Sequence, residues 1–193
     1  MKSLRILVCF SAALLIAVVA SAQNPNAKHF DRDGLSFDYP TDWQLSDQST
    51  GQMQFLELTK GDLVIRLRAP REWLKMPEKE AHAKKLIQDQ YVDSFAAQLE
   101  QAGMRSTRST ISTQIAGVDA EGARVRAVLD GQPGGMDSYY RIISDRFVGL
   151  SIIGSERDIA KSAGAWDLIR TSVRVEPPPQ PKPTAKPSPT PKP

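Results

Sequence analysis

Gly122-Ala123-Arg124-Val125-Arg126-Ala127-Val128-Leu129-Asp130 alternates from residue to residue. Ala123, Val125, Ala127 and Leu129 fall on one side of an extended chain, with Arg124, Arg126 and Val128 on the other. This is the period of two expected of a half-buried strand. Working outward toward the C-terminus, Asp130-Gly131-Gln132-Pro133-Gly134-Gly135 reads as a loop. Strands are then predicted over Asp137–Ser144 and, after a turn at Asp145-Arg146, over Phe147–Ile153. Toward the N-terminus, Ser109–Ile115 alternates more weakly and turns at Ala116-Gly117. The four segments form an antiparallel meander.

A long helix precedes the meander. Pro77 opens it and Gly103 closes it just past Ala102, the expected punctuation at its two ends. Ile87, Tyr91, Val92, Phe95, Leu99 and Ala102 recur at helical spacing as its apolar stripe. Lys84 and Gln88 beside that stripe predict a partly buried N-terminal half. Before the helix, Leu35–Tyr39 alternates as a strand that Pro40 ends, and Trp43 lies in the turn after it. Met53–Thr59 and Asp62–Ala69 read as a hairpin turned at Lys60-Gly61. After the meander, Ser155 caps a second helix, with Asp158 three residues on. Its predicted stripe is Ile159, Ala163, Trp166, Ile169 and Val173. Strands, a long helix, a meander and a closing helix give an α+β fold, one domain with an antiparallel sheet and helices packed on it.

The ends of the 193-residue chain differ from its body. Met1–Arg5 is basic, Ile6–Val19 is apolar, and Ala20-Ser21-Ala22 fits a small-x-small cleavage site, so residues 1–22 are expected to be a signal peptide. An uncleaved membrane anchor is the competing reading, but the apolar run is short for a span. The one cysteine, Cys9, leaves with the signal. Residues 23–29 read as a flexible lead-in and residues 30–176 as the domain. Residues 177–193 hold nine prolines with spaced lysines, a composition expected to stay extended and disordered. Two of the 25 basic residues lie in the signal and three in the tail, so the body is slightly acidic against 22 acids. The body gives no footprint for nucleic acid. The chain is expected to be exported, to the periplasm or beyond.

Gly34-Leu35-Ser36-Phe37-Asp38-Tyr39-Pro40-Thr41-Asp42-Trp43 resembles the opening of PsbP-like proteins, where a strand runs into a Tyr-Pro and a turn tryptophan. Ala165-Trp166-Asp167-Leu168-Ile169-Arg170-Thr171-Ser172-Val173 is similar to that family's last helix and strand. The long helix between two antiparallel blocks matches as well, so the likeness spans roughly Phe30 to Val175. It implies an antiparallel β-sheet sandwiched by helices. The family includes photosystem accessory subunits and bacterial DcrB-type envelope proteins, and its members mostly bind or assist. It brings no shared catalytic set to carry over.

The parts for most catalysis are scarce. His29 and His82 are the two histidines; neither adjoins a Gly-x-Ser-x-Gly elbow, and both read as surface residues. Asp31-Arg32-Asp33-Gly34 lacks the glycine and glutamate a calcium loop needs at its sixth and twelfth positions. With no cysteine left after cleavage and the histidines far apart, no metal site is expected. Gly131–Gly135 lies between strands without a following helix, so it cannot act as a phosphate loop, though it could shape the rim of a binding surface. No cofactor is expected and no catalytic residue is assigned.

Two features remain as candidate binding elements. Arg66, Arg68, Arg124, Arg126 and Arg141 each fall opposite the more apolar face of their strands. If those strands are neighbours, the guanidinium groups could form one face for an anionic small ligand. Alternatively, they are a solvated face with Glu57, Asp62 and Asp130 as cross-strand partners. Trp73, beside Leu74 and Met76, is either a contact patch for an envelope protein partner or a plug over the helix end. Together these features predict a non-catalytic exported binding or accessory protein, assisting an envelope assembly or holding a small or peptide ligand. The alternatives are a hydrolase with an unrecognised carboxylate site, and a wall-associated structural protein acting through its Pro-rich tail. A membrane is a partner only if the signal stays attached.

Overall fold

The computed structural model describes residues 26–71, 77–129 and 131–177. The signal segment, nearly all of the Pro-rich tail and Trp73 lie outside the described residues.

The N-terminal block is β1 (Ala27–Arg32), β2 (Leu35–Pro40), β3 (Gln44–Asp47), β4 (Met53–Lys60) and β5 (Leu63–Pro70). The helix is α1 (Pro77–Ala83), which passes through one π-helical stretch (Lys84–Asp89) into α2 (Gln90–Gln101). The meander is β6 (Thr107–Ile115), β7 (Val118–Leu129), β8 (Gln132–Ile143) and β9 (Arg146–Ser155), and α3 (Glu156–Lys161), α4 (Ala163–Ser172) and β10 (Arg174–Val175) close the chain.

Seven strands form one sheet in the order β3-β4-β5-β9-β8-β7-β6, antiparallel throughout, and β1-β2-β10 form a second. The inner strands of the large sheet sort their side chains between two cores, as a period of two requires. On β5, Leu63, Ile65, Leu67 and Ala69 point toward the small sheet and α4, where they meet Phe37, Trp43, Leu150 and Ile169. On β7, Ala123, Val125 and Ala127 point the opposite way, onto Val92 and Leu99 of α2. The sheet is thus covered on both faces: by the long helix on one, and by the small sheet with α4 on the other.

Several expectations need correcting. Residues 27–29 are not a lead-in: β1 starts at Ala27 and pairs with β2 along its length. The expected loop over 130–135 is mostly strand. Gly134 pairs with Ala127 and Gly135 with Arg126, and a Cβ on Gly135 would lie 2.0 Å from the Val125 carbonyl oxygen. The glycines there allow close backbone approach rather than a loop. The turn expected at Asp145-Arg146 falls at Ser144-Asp145, both at positive φ, and Arg146 is buried within β9. The closing helix breaks at Ser162, leaving Ala163 exposed and Ile169 as the buried anchor of α4.

Candidate functional site

The predicted arginine face does not exist as one surface. The register runs Arg66 to Ser151 to Ser138 to Ala123 across the sheet, so Arg66 and Arg68 share the face that α2 covers. Arg124 and Arg126 lie in the rows of Asp137 and Gly135, on the opposite face. Arg141 is exposed on β8, four residues or about 13 Å along the strand from Asp137. Non-neighbouring strands and opposite strand parity separate the two pairs.

Each pair is neutralised or bonded internally. Arg66 donates through Nε to Glu57 Oε2 at 2.8 Å and through Nη1 to Tyr91 Oη at 3.3 Å. Burial pulls its pKa down, but Tyr91 and Glu57 more than offset that. Arg124 and Arg126 both reach Asp137, at 2.7 Å each, and the Asp137 hydrogen bond raises the Arg124 pKa. Glu57 was expected as a cross-strand partner and serves as one; Asp137 carries that role on the other face.

Arg68 is the unusual member. It is 5% exposed, donates through Nη1 to the Ile87 carbonyl at 2.6 Å and through Nη2 to Gln88 Oε1 at 3.2 Å. Among the described residues its Nε is buried without a hydrogen-bond partner. Burial lowers its pKa to about 10. The π-helical stretch is what brings these groups together. A wide turn lets Gln88 point inward, where its Nε2 donates to the Ser138 carbonyl at 2.9 Å. Arg146 forms a second buried knot, donating to the carbonyls of Pro70 and Asp33 at 2.7 and 3.0 Å and to Gln54 Oε1. Burial pushes its pKa down, as does the nearby charge of Arg71. The Arg68 knot ties β5 and β8 to the helix, the Arg146 knot ties β4, β5, β9 and the β1–β2 turn to one another, and neither presents a cation to solvent.

A concavity bordered by the glycine-rich segment lies at the C-terminal end of α2. A cleft of about 530 Å³ opens between that helix and the paired ends of β8 and β9. Phe95, Leu99 and Ile153 give it an apolar lining, Gln132–Gly135 and Gly154 form its backbone wall, and Asp62 stands exposed beside it. The glycine-rich segment was the sequence signal here, as a candidate rim. The apolar lining was not legible, because it depends on how α2 crosses the sheet. Among the described residues no group of three or more His, Cys, Asp or Glu is placed to hold a metal ion. No helix among the described residues is long and apolar enough to cross a membrane.

No family model matches the sequence, and no curated protein matches it. Among solved structures, the chain is similar to cyanobacterial PsbP (CyanoP) from Synechocystis sp. PCC 6803, determined in solution. The TM-score is 0.51 at 10% identity, over 83% of this chain and 99% of that one. At that identity the likeness is one of fold, and the fold of this chain is a PsbP-like α+β architecture.

Proposed function

We propose that this chain is a non-catalytic exported accessory protein whose domain works by binding, in the manner the PsbP-like and DcrB-type resemblance implies. The cleft beside α2 carries the reading: an apolar lining with an exposed carboxylate nearby suits a small amphipathic ligand or a peptide side chain. The predicted signal would deliver the domain outside the cytoplasm, and the Pro-rich tail would serve as a spacer. Four of the arginines support the same reading, because Arg66 and Arg68 are spent on Glu57 and the long helix, and Arg124 and Arg126 on Asp137.

The test is photo-crosslinking in envelope extract with a reporter at exposed Gln132, comparing the natural chain with Asp62→Lys. A specific adduct weakened by the charge reversal, with thermal melting unchanged, is the expected result. Identical adducts with and without the substitution would remove the cleft from the proposal. A hydrolytic activity abolished by Asp62→Asn would overturn the non-catalytic reading.

A further inference from the structure

The two edges of the seven-stranded sheet are unequal. β3 is four residues long, whereas β6 is nine, contains no proline or lysine, and carries Arg108 as its one charged residue. Residues 107–110 and Ser112 are exposed. The hairpin geometry shows which backbone groups face outward. Ala116 and Gly117 both have positive φ, the signature of a two-residue type I′ turn closing the pair Ile115–Val118. That pair is therefore hydrogen-bonded, and by alternation the odd-numbered residues of β6 bond to β7 while the even-numbered ones turn away. Arg170 confirms the phase: its guanidinium donates to the carbonyl of Gln114 from outside the sheet at 3.1 Å. Arg108, Thr110 and Ser112 are left with outward N–H and C=O groups and, among the described residues, no backbone partner beyond β7.

We infer that this edge pairs with a second copy of the chain, β6 against β6 antiparallel, with the two-fold axis at Thr110. Three outward residues are symmetric about that point, so Thr110 meets Thr110 and Arg108 meets Ser112. Charge makes the arrangement self-complementary. Ser112 is directly opposite Glu121 on β7, and paired residues share a face. Arg108 of one copy then lies in one row with Ser112 and Glu121 of the other, about 10 Å from Glu121 between Cα atoms. A small serine between them lets the guanidinium and carboxylate meet. Glu121 is 73% exposed; its Oε2 accepts from Tyr140 Oη at 3.0 Å and lies 3.6 Å from Lys84, which leaves Oε1 for the partner's guanidinium. Arg108 is held toward this face by Asp93 of α2 at 2.5 Å. The two-fold makes the contact twice, and the sheet becomes continuous over fourteen strands, twice the seven of one copy. A parallel partner would instead place Arg108 beside the like end of its neighbour.

Sedimentation of the exported chain, tail in place, tests this with a charge swap. The natural chain is expected to form a dimer. Arg108→Glu and Glu121→Lys should each weaken it at least tenfold, and the double variant should recover most of the loss. Thr110→Pro removes the central outward N–H without touching the β7 ladder, and should leave a folded monomer whose melting no longer depends on concentration. A natural chain that stays monomeric at hundreds of micromolar overturns the inference, as does a dimer that Thr110→Pro leaves intact. A double variant no tighter than the single ones overturns it too.

Discussion

The guanidinium of Arg68 stacks on the ring of Tyr91, its central carbon 3.5 Å from the ring centroid. This contact joins the face of β5 to the first turn of α2, and it offsets part of the cost of burying a charge that has no carboxylate partner among the described residues. Cation–π attraction strengthens as water is excluded, reaching about 2 kcal/mol or more. Tyr91→Phe should therefore cost less than about 1 kcal/mol, since it loses the Oη bonds to Arg66 and Ser151 but keeps the ring. Tyr91→Ala should cost about 3 kcal/mol, from lost packing and from the exposed charge. Urea denaturation of both variants decides the point. Equal losses would mean the ring contact with Arg68 contributes nothing.

Arg146 is fully buried and holds Pro70, Asp33 and Gln54 from one side chain. Asp33 lies in the β1–β2 turn, so the bonds fasten the small sheet to the edge of β5. A guanidinium can serve several acceptors in fixed directions, which a single ammonium cannot. Arg146→Met should destabilise by about 3–5 kcal/mol, because the carbonyls of Pro70 and Asp33 and Gln54 Oε1 all lose their donor at about 1–3 kcal/mol each when buried, and Arg146→Lys should recover less than half. Chemical unfolding with both proteins gives the comparison; full recovery by lysine would show that charge alone matters.

The sheet and the long helix were legible because their signals are local. Alternation in Gly122–Asp130 and the stripe from Ile87 to Leu99 are fixed by the covalent geometry of strand and helix. Burial of Arg68, Gln88 and Arg146 was not legible, because polarity on one strand face says nothing about what crosses above it. Arg66 and Arg68 alternate just as Arg124 and Arg126 do, yet a helix lies over the first pair and α3 lies near the second, where Glu156 reaches Arg126 at 3.3 Å. Strand order and parity separated them, and both are non-local. Gly134 and Gly135 misled for a related reason: glycine signals either a loop or a close approach of backbones, and only the pairing with β7 distinguishes the two. The candidate cleft inherits this limit, since one wall was visible as a glycine run and the other depends on the placement of α2.

Asp47 sets a pH prediction with a defined sign. Its carboxylate is stabilised first by hydrogen bonds from Ser49, whose N–H donates to Oδ1 at 3.0 Å, and then by Arg32, whose Nη1 lies 2.7 Å from Oδ2. Slight burial opposes them, and the pKa is lowered. In the unfolded chain the group titrates near 3.9. Above that value both states are ionised and the stabilisation is fully present. As pH falls through the lower folded value, the folded state must also take up the proton, and the stabilisation is lost. Between the two values the unfolded chain binds more protons, so stability rises with pH. Because the pair lies at the surface, the contribution is below about 1 kcal/mol and shrinks with salt. Asp47→Asn should lower the urea midpoint slightly at pH 7 and make the decline between pH 4 and pH 2 shallower. An acid limb as steep as that of the natural chain would show that the Ser49 and Arg32 contacts do not hold this carboxylate in solution.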